Sequence, residues 1–155
     1  MTPAVPILPT TTPAAALATR AASGKDIPQP RATAHRRIIS VFGGGGDRDK
    51  TKRGPMCISA CLEGDLAFIT SDNPRSEDPL AIIADIEAGL RAAGLQNYRI
   101  MPDRGDAIKA AIASAGSGDV VLIAGKGHED YQILGDHTVP FDDRKKARAA
   151  IRKLK

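Results

Sequence analysis

The side chains capable of chemistry gather in three short polar stretches: Gly43-Gly44-Gly45-Gly46-Asp47-Arg48-Asp49-Lys50, Ser71-Asp72-Asn73-Pro74-Arg75 and Gly125-Lys126-Gly127-His128-Glu129-Asp130. The first imitates a phosphate-binding loop, since Gly44 to Thr51 reads G-x-x-x-x-D-K-T and glycines let a ligand approach the backbone. A true phosphate loop needs glycine where Asp49 stands, because a carboxylate there would face the oxygens that the amides must cradle. Arg48 and Lys50 can meet a nucleotide or a substrate carboxylate; the competing reading is a flexible turn after a strand. In the second stretch Pro74 drives Asn73 out of the helical region, which projects its side chain from an extended loop. The fork of Arg75 suits a carboxylate bidentately. Arg75 for a carboxylate and Asn73 for either group fit a reader of amino-acid head groups, and a capped loop with Arg75 in solvent fits the same residues. In the third stretch Glu129 can bind an ammonium group and glycine amides a carboxylate. His128 reads as a hydrogen-bonded structural residue, not a metal ligand or base. Cys57 and Cys61, four apart on an expected helix, read as small buried residues without a redox partner.

These stretches need elements to hold them. Ile38–Phe42, Leu66–Thr70 and Val120–Ala124 are apolar, largely β-branched runs that end at the three stretches, as buried strands would. Leu80, Ile83, Ile86 and Leu90 share one helical face, with Asp78 as N-cap and Pro79 in the first turn. Tyr98–Met101 is a short strand, and Asp103 with Asp106 caps a helix carrying Ile108, Ala111, Ile112 and Ala115. Tyr131–Leu134 and His137–Phe141, divided by Gly135-Asp136, predict a hairpin, and a last helix begins near Asp142-Asp143. Strands alternating with helices predict an α/β, three-layer, Rossmann-like domain with a mostly parallel sheet. Such a sheet binds ligands at the carboxyl ends of its strands, where all three polar stretches lie.

The chain has 155 residues and a net charge of +4, and the excess sits at its start. Residues 1–37 hold five basic residues, one acidic residue and six of the eleven prolines, while the remainder is balanced in charge. Proline removes amide donors and fixes φ, so this Pro/Ala/Thr-rich segment is expected to be a disordered extension, with at most a short helix near Ala14–Ala22. It lacks the order of charge and apolar residues of a secretory signal. The globular part, residues 38–155, shows no basic stripe interleaved with aromatics, so nucleic acid is not expected as a partner. No run of about 18 apolar residues is present to enter a membrane, and two cysteines cannot form a disulfide framework or a four-ligand zinc site. A reducing, cytoplasmic compartment is the expectation.

Taken in series, the strings VFGGGGDRDK, TSDNPRSEDPLAIIADI and VVLIAGKGHEDYQILGDHTVPFDDR resemble the C-terminal domain of the Mur ligases of bacterial peptidoglycan synthesis. The likeness is to the MurE type, which joins meso-diaminopimelate to UDP-MurNAc-L-Ala-D-Glu, and it covers residues 38–155. It implies that Asp72, Asn73, Pro74 and Arg75 read the incoming amino acid. The arginine favours diaminopimelate, whose side-chain end bears a carboxylate, over lysine. Arg48, Gly125 and Glu129 match further positions holding that substrate, and Asp47 matches a stretch that closes over the nucleotide. The family reaction uses ATP and Mg²⁺ to form an acyl phosphate that the diaminopimelate amine attacks. The resemblance brings no catalytic residue and no metal ligand into this chain, because the UDP-sugar and ATPase domains find no match in it. The chain is therefore expected to bind neither ATP nor Mg²⁺ alone and to be inactive alone. A separate chain would supply those domains, or the chain is a stand-alone binding module or the relic of a truncated gene copy. Gly44, Thr51, Gly54 and Pro55 depart from the family pattern (Cys, Gly, Pro and Leu), and Ser59 and Leu62-Glu63 invert the apolar order of the following helix.

Overall fold

The computed structural model describes residues 36–154. The expectations of a disordered segment over 1–37 and of a helix near Ala14–Ala22 thus lie outside the described residues, apart from Arg36 and Arg37. Arg37 is held firmly: its backbone amide and Nε each donate 2.9 Å bonds to the Asp119 carboxylate, and Nη2 donates to Ser114 O at 2.7 Å.

Four parallel strands, β1 (Ile38–Gly44), β2 (Leu66–Ser71), β3 (Tyr98–Ile100) and β4 (Val120–Ile123), form one sheet in the order β3-β2-β1-β4. Residues alternate between its faces, because a strand repeats every two residues. Phe42, Ala67 and Ile69 pack with helices α1 (Arg53–Glu63) and α2 (Pro79–Ala92), through Cys57, Cys61, Ile82, Ile83, Ile86 and Leu90. Ile39, Val41, Leu66 and Phe68 pack on the other face with α3 (Arg104–Ser114) and α4 (Asp143–Arg152), through Ala107, Ile108, Ala111, Ile112 and Ala150. Two cores sandwiching one sheet give the three layers expected. Both expected caps form, Asp78 accepting from Leu80 N and Asp103 from Asp106 N, and Asp142 caps the last helix by accepting from Arg144 N and Lys145 N. A short 3₁₀ turn (Lys50–Lys52) leads into α1. The antiparallel hairpin β5 (Tyr131–Leu134) and β6 (His137–Pro140) stands as a separate two-stranded sheet.

Two expectations change. Leu80 is 57% exposed, and Ile82 takes its place in the core. Three-residue steps fall about 60° short of a full turn, so the stripe drifts around the helix and its buried centre becomes 82, 83, 86 and 90. β4, expected to be buried, is an edge strand: Val121 and Ile123 face the α3/α4 core while Val120 and Leu122 remain 55% and 53% exposed. The α1/α2 layer covers β1 and β2, and among the described residues it leaves that face of β4 bare. Among the described residues no helix is long and apolar enough to cross a membrane.

Candidate functional site

The three polar stretches lie at the carboxyl ends of β1, β2 and β4; a backbone bond joins the first to the second, and side chains join the second to the third. Gly46 N donates to Asn73 O at 2.8 Å, and a β carbon on Gly46 would collide with Pro74 O. Arg75 N donates to Ile133 O at 3.2 Å and Gly135 N to Arg75 O at 2.8 Å, which stitches the second loop to the hairpin. Held from both sides, Arg75 adopts a left-handed φ of 53°. Its Nη1 reaches back to donate to Gly46 O at 2.7 Å.

Arg48 and Arg75 flank Gly45. A β carbon built on Gly45 would lie 3.5 Å from both Arg48 Cγ and Arg75 Nη1, so the two arginine side chains pass the same glycine. Arg48 is exposed and Arg75 half-buried. Asp47 accepts from Ser76 Oγ at 2.6 Å and from Ser76 N at 3.2 Å, and these bonds hold its carboxyl below the usual range. Asp49 is occupied as well. Its Oδ1 accepts from Thr51 N at 3.0 Å and Thr51 Oγ1 at 2.6 Å, which caps the 3₁₀ turn.

Across the second loop lies a buried polar cluster. Lys126 has no exposed side-chain surface; Nζ donates to Asn73 Oδ1 at 2.9 Å and Tyr131 O at 2.8 Å, and stands 3.1 Å from Asp72 Oδ1 and 4.0 Å from Glu129 Oε2. Ile133 N gives Asn73 Oδ1 a second bond at 3.1 Å, and Asn73 Nδ2 donates to Glu129 Oε2 at 2.9 Å. Asn73 is 3% exposed, so its side chain turns inward to hold Glu129, against the expectation that it projects from the loop. Proline set the backbone of that loop, but the unmet acceptor need of Lys126 set the side chain. Gly125 adopts φ 112°, and a β carbon there would come within 3.3 Å of Asp72 Oδ2. His128, expected to be hydrogen-bonded, is exposed on the turn.

Arg53 and Lys126 organise the site, though sequence reasoning gave neither a role. Arg53 is buried; Nη2 donates to Glu77 Oε1 at 2.6 Å and Gly45 O at 3.1 Å, and Nη1 to Asp85 Oδ2 at 3.2 Å. Glu77, which also accepts from Asp47 N at 2.7 Å, is pulled down to about 2, first by its bond from Arg53. A basic residue opening a helix reads as solvated, and no local pattern marks its long-range partners. Cys57 and Cys61 are buried as expected, and burial pushes their thiols up to about 12 and about 11, which keeps them unreactive. Among the described residues no group of three or more His, Cys, Asp or Glu could hold a metal ion.

The arrangement offers cations on one side of Asn73-Pro74 and a carboxylate on the other, which suits a ligand bearing both charges. A family model described as Mur ligase, glutamate ligase domain, matches residues 11–127. The chain is 56% identical over 122 residues to the UDP-N-acetylmuramoyl-L-alanyl-D-glutamate–2,6-diaminopimelate ligase of Geobacillus thermodenitrificans, covering 79% of this chain and 25% of that enzyme. It is 53% identical over 121 residues to the ligase of the same name from Prochlorococcus marinus, covering 78% of this chain and 23% of the other. A solved structure of a UDP-N-acetylmuramoyl-L-alanyl-D-glutamate–2,6-diaminopimelate ligase is similar at a TM-score of 0.72 and 42% identity, over 77% of this chain and 24% of that one. The chain spans about a quarter of the length of the curated relatives it matches.

Proposed function

Because the chain belongs to the Mur ligase family as its C-terminal, glutamate ligase domain, we propose that it is the amino-acid-binding part of a diaminopimelate-adding peptidoglycan ligase. The observation that carries this reading is the pairing of Arg75 and Arg48 beside Gly45 with Glu129 held by Asn73. The far end of meso-diaminopimelate bears a carboxylate and an ammonium on one carbon. Arg75 and Arg48 take the carboxylate, and Glu129 with the backbone at Gly125 takes the ammonium. Asp72 anchors the loop through Lys126. Lysine, which has no carboxylate at that end, would leave the two guanidinium groups unanswered.

The described residues do not fit ATP and Mg²⁺. Asp49 stands where a phosphate loop needs glycine, and it takes up the amide and hydroxyl of Thr51. Asp47 is bonded to Ser76 and Glu77. We assign the nucleotide chemistry to the remaining three quarters of the ligase, in the same or a separate chain. The part played here is orientation, holding one end of the amino acid so that its other amine meets the activated carboxylate.

Calorimetry with meso-diaminopimelate and L-lysine tests the reading. Diaminopimelate should bind more tightly, and Arg75→Ala should weaken it at least about tenfold with little effect on lysine, as loss of a bidentate charged pair predicts. Equal affinity of the native chain for the two amino acids would sink it. Released phosphate from ATP should stay at background for the purified chain.

A further inference from the structure

We infer that Lys126 is a positioning residue that sets the charge the site presents to the incoming amino acid. It does so by cancelling Asp72 and locking the Asn73 amide, which leaves Glu129 as the group that meets the ligand's ammonium. The inference rests on the amino-acid reading given above.

A buried ammonium has three protons to donate and tolerates no gap among its acceptors. Lys126 donates hydrogen bonds to Asn73 Oδ1 and Tyr131 O at 2.9 and 2.8 Å, and its charge faces the Asp72 carboxylate across an ion pair of 3.1 Å. Asn73 Oδ1 thus receives two groups that can only donate, Lys126 Nζ and Ile133 N. The amide therefore has one permitted orientation, with Nδ2 toward Glu129 Oε2 at 2.9 Å. The charge count follows. Asp72, Glu129 and Lys126 together carry a formal −1, which matches one ligand ammonium. Without the lysine the cluster would carry a formal −2 and Asn73 would be free to turn over. A site so altered favours a ligand end that is purely cationic over one that also bears a carboxylate.

Three variants of the full chain, Lys126→Met, Asp72→Asn and the two combined, test this by calorimetry with meso-diaminopimelate and L-lysine. Lys126→Met should cut the preference for diaminopimelate at least about tenfold, and the double variant, which returns the cluster to −1 without locking Asn73, should recover part of it. Asp72→Asn alone, at a formal charge of 0, should weaken both ligands. A folded Lys126→Met with the native preference, or a double variant with no recovery, overturns the inference. The double variant removes both buried charges together, so it remains informative if the single one fails to fold. The side-chain amide of Asn73, followed by nitrogen–proton NMR without ligand, separates this inference from the reading beneath it. Its resonances should shift and exchange faster in Lys126→Met, and an unchanged Asn73 amide overturns the positioning role. A native chain that binds neither amino acid but shows the amide change would sink the substrate assignment alone.

Discussion

Gly46 is where the residue types of the first loop matter most. The α-hydrogen that a β carbon would replace faces Pro74 O, so the first and second loops can touch only because no side chain intervenes. Gly46→Ala should destabilise the chain by about 1 to 3 kcal/mol, the usual effect of overpacking, with the loss read from urea unfolding. Arg75 is a different case, a non-glycine residue at positive φ. Such a backbone stores strain of about 1 to 3 kcal/mol, and here the bonds to Ile133 O and from Gly135 N hold it in place. Arg75→Gly should therefore keep or slightly raise the melting temperature while abolishing the preference for diaminopimelate over lysine. A variant that lost stability together with the preference would show that the guanidinium serves packing.

Helix caps and strand edges set the behaviour of the elements. Asp103 places the start of α3 directly after the β3 loop, and Arg104, buried behind it, donates to Asp143 at 2.8 and 2.7 Å and to Ala124 O at 2.9 Å. One residue thereby ties α3 to α4 and to the end of β4, just before Gly125. Asp103→Ala removes the cap and should lower stability by about 1 kcal/mol, measured by thermal melting. β4 carries the opposite liability. Its edge, unpaired among the described residues, and the exposed side chains Val120 and Leu122 form a surface that a second copy could pair with. Leu122→Lys should reduce light scattering at high protein concentration and leave the melting temperature nearly unchanged. A fall in melting temperature would mean that Leu122 supports the core.

The whole molecule should lose stability in acid, and the sign follows from three carboxylates. Glu77, Asp119 and Asp142 are held down to about 2, led by bonds from Arg53, Arg37 and Arg144, from ordinary values of 4.5 for Glu and 3.8 for Asp. Each is ionised more readily when folded, so its contribution is complete above the ordinary value and disappears as pH falls toward about 2. Urea midpoints should therefore drop across that window, and Arg37→Met should make the drop shallower by releasing Asp119. A midpoint indifferent to acid would contradict the ion pairs. The alternation of β-branched runs with capped amphipathic stretches, and the placing of every polar loop after a strand, were legible in the sequence. Their causes are local: strand and helix periods, Asp caps at 78, 103 and 142, and glycines that permit turns. What only tertiary structure decided was the partner of each charge. Asn73 turned inward, and Arg53 and Lys126 became the organisers of the site. Those outcomes depend on groups 24 to 56 residues apart, such as Arg53 with Glu77 and Asn73 with Glu129. A buried ion accepts whichever partners the packed layers bring within about 3 Å, and spacing along the chain carries no record of that distance.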